Sequence, residues 1–190
     1  MLKAAITGNI AAGKSQVEKI LSDKGFLVYD TDKIAHRYLD ELETFYDYDV
    51  FSQGKIDRKK MAKLVFNNPD LKMKLEEIIH PKVRQEILNI FEQNTNQKIV
   101  FVSVPLLFET GFDVLFDKII LVTASEKTRL ERLMKRNNLT KEEAVIRIKS
   151  QISENEKKEK SDFVINNDSD LANLKEQTEK CLTNIFRTIS

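Results

Sequence analysis

The segment Gly8-Asn9-Ile10-Ala11-Ala12-Gly13-Lys14-Ser15 has the spacing G-x-x-x-x-G-K-[ST]. Each fixed position has a chemical use. Gly8 and Gly13 let the backbone curl with its N–H groups pointing inward, where side chains would obstruct an anion. Lys14 brings a point charge for the β- and γ-phosphates of a nucleoside triphosphate, and the Ser15 hydroxyl is a hard oxygen donor for Mg²⁺. Asn9, Ile10, Ala11 and Ala12 supply loop backbone, and Gln16 follows directly. The competing reading is a tight strand-to-helix turn, which has no need of both Lys and Ser at those places. The chain holds only 5 Gly, so two at this spacing argue against coincidence.

A phosphate loop leaves switches, ATPases and kinases open. The Asn-Lys-x-Asp pattern that reads guanine in switch proteins is absent. Instead, a short apolar run leads into Asp30-Thr31-Asp32. A carboxylate just past a strand end beside the loop can take a proton from an acceptor hydroxyl. One of the two aspartates can equally cap the next helix, which leaves Asp32 as the better candidate base. Arg129, Arg132 and Arg136 lie at i, i+3 and i+7, a basic helix face suited to polyphosphate or simply to solvent.

Those residues need elements to hold them. Residues 2–7 read as a buried strand, and in 14–24 Val17, Ile20 and Leu21 share a helical face that stops at Gly25. The loop therefore follows a strand and opens a helix, whose dipole adds its positive end. Residues 26–29 predict a strand and 31–40 a helix, with a turn at Gly54. Helices follow at 58–66 and 69–92, where Pro81 should kink or split the second. Residues 99–104 are apolar on both faces, as a central parallel strand is, and 118–123 are another strand. Helices at 126–136 and 141–152 are separated by Asn137-Asn138; a strand at 162–166 and a helix at 170–187 close the chain. Alternating strands and helices predict an α/β fold, a central parallel five-stranded sheet flanked by helices. The helical excess over about 40–92 predicts a cap inserted into a single domain of 190 residues, with a lid over about 126–152.

Composition narrows the function. Lys+Arg is 31 and Asp+Glu 30, so no broad nucleic-acid or membrane surface is expected. Cys181 is alone, which excludes an intramolecular disulfide and a Cys-rich zinc site and fits a reducing cytoplasm. No run approaches the ~20 apolar residues of a membrane span. A secretory leader is not expected either, because Asn9 and Gly13-Lys14 break the apolar start.

Beyond these physical signals, the chain resembles the dephospho-CoA kinases over nearly its whole length. The resemblance rests on the phosphate loop, on Asp30-Thr31-Asp32 with Ile34-Ala35-His36, and on Gly54-Lys55-Ile56-Asp57-Arg58, Leu64-Val65-Phe66 and Ile79-His80-Pro81. It continues through Val104-Pro105-Leu106-Leu107-Phe108-Glu109, Arg132, Arg136, Arg147, Gln151 and Ser161 to Asn167. It implies a P-loop kinase fold and transfer of the γ-phosphoryl group of Mg-ATP to the ribose 3′-hydroxyl of dephospho-CoA, the last step of coenzyme A synthesis. It further implies Asp32 as general base and Arg136, ahead of Arg132 and Arg147, on the ATP phosphates, with the Asn166-Asn167 pair near adenine, where a helix cap or turn is an open alternative. Leu106, Leu107, Phe108 and Glu109 follow the central strand, where an acceptor loop belongs; packing is an open alternative for the apolar three. His80 and Arg84 are further acceptor candidates, with His80 also open to a packing role at the helix break.

Three positions depart from the family pattern: Ala11-Ala12 and Asn9 in a loop usually richer in glycine, Gln16 for the common Thr, and Ser103 where an Asp is typical. Ser103 can hydrogen-bond a water but brings no charge, so either weaker metal affinity or a transfer of that role to Asp32 is expected. Two other readings remain at this stage. A nucleoside or nucleotide kinase would prefer those acceptors to dephospho-CoA, and a regulatory module would bind ATP without transfer. Whether the chain is a monomer or a small homo-oligomer is not legible.

Overall fold

The computed structural model describes residues 1–39, 42, 45, 48–52, 55–66 and 68–188. The turn expected at Gly54, and position 40 at the end of an expected helix, lie outside the described residues. The chain divides into two compact units, Met1–Asp30 with Asn94–Ser190, and Thr31–Gln93.

The first unit is built on five strands: β1 (Leu2–Thr7), β2 (Val28–Asp30), β5 (Ile99–Ser103), β6 (Lys118–Thr123) and β7 (Phe163–Asn166). All neighbouring pairs are parallel, in the order β2-β5-β1-β6-β7. From β1 the chain runs to β2 and β5 on one side and later to β6 and β7 on the other. The C-terminal end of β1 is therefore a switch point, where a parallel sheet leaves a crevice for a ligand. Every residue of β5 is buried, which its run of apolar residues foretold. Helices α1 (Lys14–Asp23) and α8 (Leu171–Arg187) close one face: Val17, Ile20 and Leu21 with Leu174, Leu182 and Ile185 pack against Ile6, Phe101 and Val122.

Helices α5 (Glu126–Asn137), α6 (Lys141–Lys149) and α7 (Glu154–Glu159) lie between β6 and β7 in sequence. Their ends follow capping chemistry. Ser125, Thr140 and Ser153 accept N-terminal N–H groups, Thr140 in a capping box with Glu143, and Asn138 ends α5 in the left-handed region at φ 51°. The helix expected over 141–152 ends at Lys149, and a further short helix that was not expected follows it. Ser153 starts a new helix, and the backbone of the break is used by the phosphate loop. β2 begins two residues later than expected because the Phe26 N–H bonds Leu21 O at 3.1 Å, finishing α1, while its ring meets Phe101 edge-on.

The second unit holds α2 (Thr31–Leu39), a hairpin of β3 (Phe51–Ser52) and β4 (Lys55–Ile56), α3 (Arg58–Phe66) and α4 (Pro69–Gln93). The Asn68 side chain caps α4 by accepting the Leu71 N–H at 3.1 Å, with Pro69 at the first helical position. The helix continues through Pro81 rather than splitting there. A proline removes one ladder bond, and buried Ile79, Val83 and Ile87, spaced by four, hold the turns on both sides of it. Arg37 pairs with Glu86 at 2.8 Å and the Lys82 ammonium sits 5.1 Å over the Tyr38 ring, joining α2 to α4. Among the described residues, no helix is long and apolar enough to cross a membrane.

Candidate active site

The loop after β1 is shaped by two close approaches. A Cβ on Gly8 would stand 2.5 Å from the carbonyl oxygen of Val122 in β6, so only glycine lets the two strands lie this near. Gly13 has φ +97°, and a Cβ there would fall 1.9 Å from the Asn167 amide nitrogen. Ala11 is also left-handed, at φ 61°, which costs ~1–2 kcal/mol for a residue with a Cβ. The loop is kept in that conformation by the Ala12 N–H bonding Asn9 O at 3.0 Å. Gly13 offers α1 no side-chain cap and the first turn holds no acidic residue, so N–H groups and the positive helix end are directed at whatever fills the cradle. Ser15 and Gln16 are exposed at that end.

Lys14 is held on one side of the cradle. Its Nζ donates to Glu18 Oε1 at 2.7 Å and to the Ser103 hydroxyl, and Ser103 Oγ donates to the same Glu18 oxygen at 2.6 Å. The Lys14 and Glu18 side chains are only 16% and 15% exposed, which makes this a shielded pair rather than a surface one. Ser103, last residue of β5, is in register with Ile6 of β1 and is fully buried.

The other wall comes from β7 and α5. Asn167 donates its amide to Ala12 O at 2.9 Å, and Arg132 donates to Asn167 O at 2.9 Å and to Ala12 O at 3.4 Å. Asp168 accepts the Ser125 N–H at 2.8 Å. That backbone bond first of all, with side-chain bonds from Thr128, Asn166 and Ser125, lowers the Asp168 carboxyl from 3.8 to about 2 against an opposing desolvation cost. The third contact is the break between α6 and α7. The Ile10 N–H donates to Gln151 Oε1 at 2.6 Å, and the Asn9 amide donates to Ile152 O at 3.2 Å.

The residues singled out from sequence occupy unequal settings. Gly8 to Ser15 form the cradle. Of the arginines, Arg132 touches the loop, whereas Arg136 is exposed one turn on, its Nε bonded to Asn137 at 2.9 Å, and Arg147 is half-buried in the last turn of α6. Of the asparagines, Asn167 reaches the loop; Asn166 turns outward and bonds Asp168 at 3.0 Å. Leu106 is exposed and Phe108 half-buried beneath the Lys160 ammonium, 5.8 Å from its ring. Leu107 is fully buried, its side chain packed inside the fold. Glu109 pairs with the wholly buried Lys157 of α7 at 2.8 Å. The ammonium makes no well-directed hydrogen bond, so the pair is electrostatic in character. Asp30 ends β2 in register with Ser103, and Asp32 is exposed in the first turn of α2. His80 is half-buried and Arg84 exposed, one turn apart on α4. Glu18, Arg132, Gln151 and Asn167 were not assigned these contacts from sequence.

A switch-point loop with an open helix end and a shielded lysine defines a P-loop nucleotide-binding fold of the kinase type. The shikimate kinase of Acinetobacter baumannii shares that fold, with a TM-score of 0.61 at 14% identity. The family model described as dephospho-CoA kinase (CoaE) matches residues 2–173. A dephospho-CoA kinase from Fusobacterium nucleatum is 41% identical over 182 residues, 92% of this chain and 94% of that protein. Among solved structures, TT1252 from Thermus thermophilus gives a TM-score of 0.84 at 33% identity, covering 96% of both chains. The dephospho-CoA kinase from Campylobacter jejuni gives 0.75 at 35%, covering 99% of this chain and 98% of that one. The chain belongs to the dephospho-CoA kinase family.

Proposed function

We propose that this chain transfers the γ-phosphoryl group of ATP to the ribose 3′-hydroxyl of dephospho-CoA, with the following division of labour. Lys14 and the N–H groups at the start of α1 bind the triphosphate. The left-handed turn at Gly13, which leads the loop into the uncapped start of α1, supports this reading most directly. Asp32 accepts the proton of the attacking hydroxyl. Arg136 and Arg147, on the lid of α5 and α6, neutralise charge that spreads over the phosphoryl oxygens, while Arg132 fixes the loop. His80 and Arg84 are assigned to acceptor binding, as are Leu106 and Phe108 for their apolar surface. Glu109 acts on that loop from its pairing with Lys157. The Asn166–Asp168 turn borders adenine.

Mg²⁺ fits the oxygens present: Ser15 is exposed at the helix start, and a shielded carboxylate, Glu18, stands behind Lys14. When bound, Mg²⁺ would be held by the Ser15 hydroxyl with Glu18 behind it and would supply positive charge to offset that of the phosphates. The free, buried thiol of Cys181 suits a reducing cytoplasm as the compartment.

The test is ADP formation with ATP and dephospho-CoA, compared with a nucleoside monophosphate as acceptor. Dephospho-CoA is expected to be strongly preferred, and Asp32→Asn to lower kcat by about 100-fold or more. ATP binding with no transfer to dephospho-CoA would sink the reading. Near-normal turnover in Asp32→Asn would remove the base assignment alone.

A further inference from the structure

We infer that Glu18 is a metal-positioning residue: acting with Ser103, it supplies the negative charge behind the Mg²⁺ site of Ser15. The inference rests on the proposal that Mg-ATP occupies the loop. In phosphate-loop enzymes the metal is held between the loop hydroxyl and an acid at the end of a neighbouring strand. Here that strand end is Ser103, in register with Ile6 just before the loop and fully buried. It has a hydroxyl and no charge. The charge lies one hydrogen bond away, because Ser103 Oγ donates to Glu18 Oε1 at 2.6 Å.

Helix geometry explains how Glu18 gets there. Ser15 and Glu18 are three residues apart on α1 and share a face. The carboxylate is 15% exposed and takes the Lys14 and Ser103 bonds on the same oxygen. Among the described residues, its other oxygen has no bonded partner and remains for a metal-held water. A carboxylate in this position suits a metal better than a hydroxyl alone, since a hard divalent ion is favoured by full negative charge.

Glu18 also touches Lys14, so a second role must be separated: a carboxylate that merely competes with phosphate for the lysine. The two roles have opposite signs in binding. The experiment uses the full chain and a non-hydrolysable ATP analogue, titrated calorimetrically at a series of free Mg²⁺ concentrations and without metal. Glu18→Gln should raise the Mg²⁺ needed for half-maximal tightening by about tenfold, equivalent to ~1.4 kcal/mol. Adding Ser103→Asp to Glu18→Gln should restore most of it. Ser103→Ala, which keeps Glu18 but cuts its hydrogen bond, should raise it by about threefold and stands independently if Glu18→Gln does not fold. An unchanged Mg²⁺ requirement in folded Glu18→Gln, with tighter metal-free binding, would overturn the inference. So would a failed rescue by Ser103→Asp, or a requirement that moves with Asp30→Asn instead. A wild-type chain whose analogue binding ignores Mg²⁺ would overturn the donor-site reading itself, a result distinct from these.

Discussion

Replacing Gly13 with alanine tests the loop geometry in two separable parts. The first is conformational: a Cβ at φ +97° costs ~1–2 kcal/mol. The second is a collision, because that Cβ would lie 1.9 Å from the Asn167 amide nitrogen and 3.2 Å from its Cγ. Asn167 is buried and cannot simply swing into solvent, so moving it gives up its 2.9 Å bond to Ala12 O, a further ~1 kcal/mol. The sum, ~2–3 kcal/mol, corresponds to a fall in Tm of about 4–12 °C for a chain of this size. ATP-analogue affinity should fall by about tenfold or more, since the shifted loop no longer aims its N–H groups. A double-mutant cycle isolates the collision. Asn167→Ala alone should cost ~1–2 kcal/mol by leaving Ala12 O with only the 3.4 Å Arg132 contact. In Gly13→Ala/Asn167→Ala the new methyl enters vacated space, so the pair should cost ~1 kcal/mol less than the sum. Thermal and urea melts of the four proteins measure this. Strict additivity would refute the collision, and a wild-type Tm in Gly13→Ala would refute the whole geometric account.

The remaining predictions concern the loop's supports. Glu109→Gln should lower Tm by about 6–20 °C, because an unpaired buried Lys157 costs ~3–5 kcal/mol; an altered KM for dephospho-CoA at constant Tm would instead assign Glu109 to the acceptor. The Asp168 carboxyl, held at about 2 against an ordinary 3.8 by the Ser125 N–H first of all, stabilises the fold above pH ~4, and that contribution fades as pH falls toward 2. The Tm difference between wild type and Asp168→Asn should therefore be constant above pH 5 and close between pH 4 and 2; a difference that widens there would contradict the assignment. Burial raises the Cys181 thiol to about 12, so a thiol reagent at pH 8 should label it at the unfolding rate and no faster.

The sheet was legible because its signals are local. β1, β5 and β6 are apolar runs, and the loop is a contiguous motif whose glycines have steric reasons to be where they are. The supports were harder to read because they depend on which face a residue presents. Along β7 the burial alternates, Val164 out, Ile165 in, Asn166 out, and Asn167 continues the inward set. Extending that period by one residue would have selected Asn167 over Asn166. Arg132 and Arg136 share a helix face, but α5 ends at Asn137, so only the earlier arginine is carried to the loop. Gln151 lay inside a predicted helix, and only the cap at Ser153 shows that its segment is a break.

Glu18 shows most clearly what sequence spacing leaves out. A Lys and a Glu four residues apart on a helix ordinarily make a solvated pair worth ~0.3–0.5 kcal/mol, and nothing in the spacing distinguishes Lys14–Glu18 from Lys180–Glu176 on α8. The difference lies in what stands over them. Glu176 and Lys180 are 59% and 70% exposed, whereas β5 brings Ser103 against Lys14 and Glu18 and leaves them 15–16% exposed. Water screens the first pair and not the second, so the same two residue types give a surface contact in one place and a directed field in the other. That field lies at the start of α1, where the phosphate charge must be met. The serine at the end of β5 is therefore best understood together with its partner: on the metal-positioning role proposed for Glu18, an uncharged residue at 103 is compatible with metal support because a charged one at 18 is hydrogen-bonded to it.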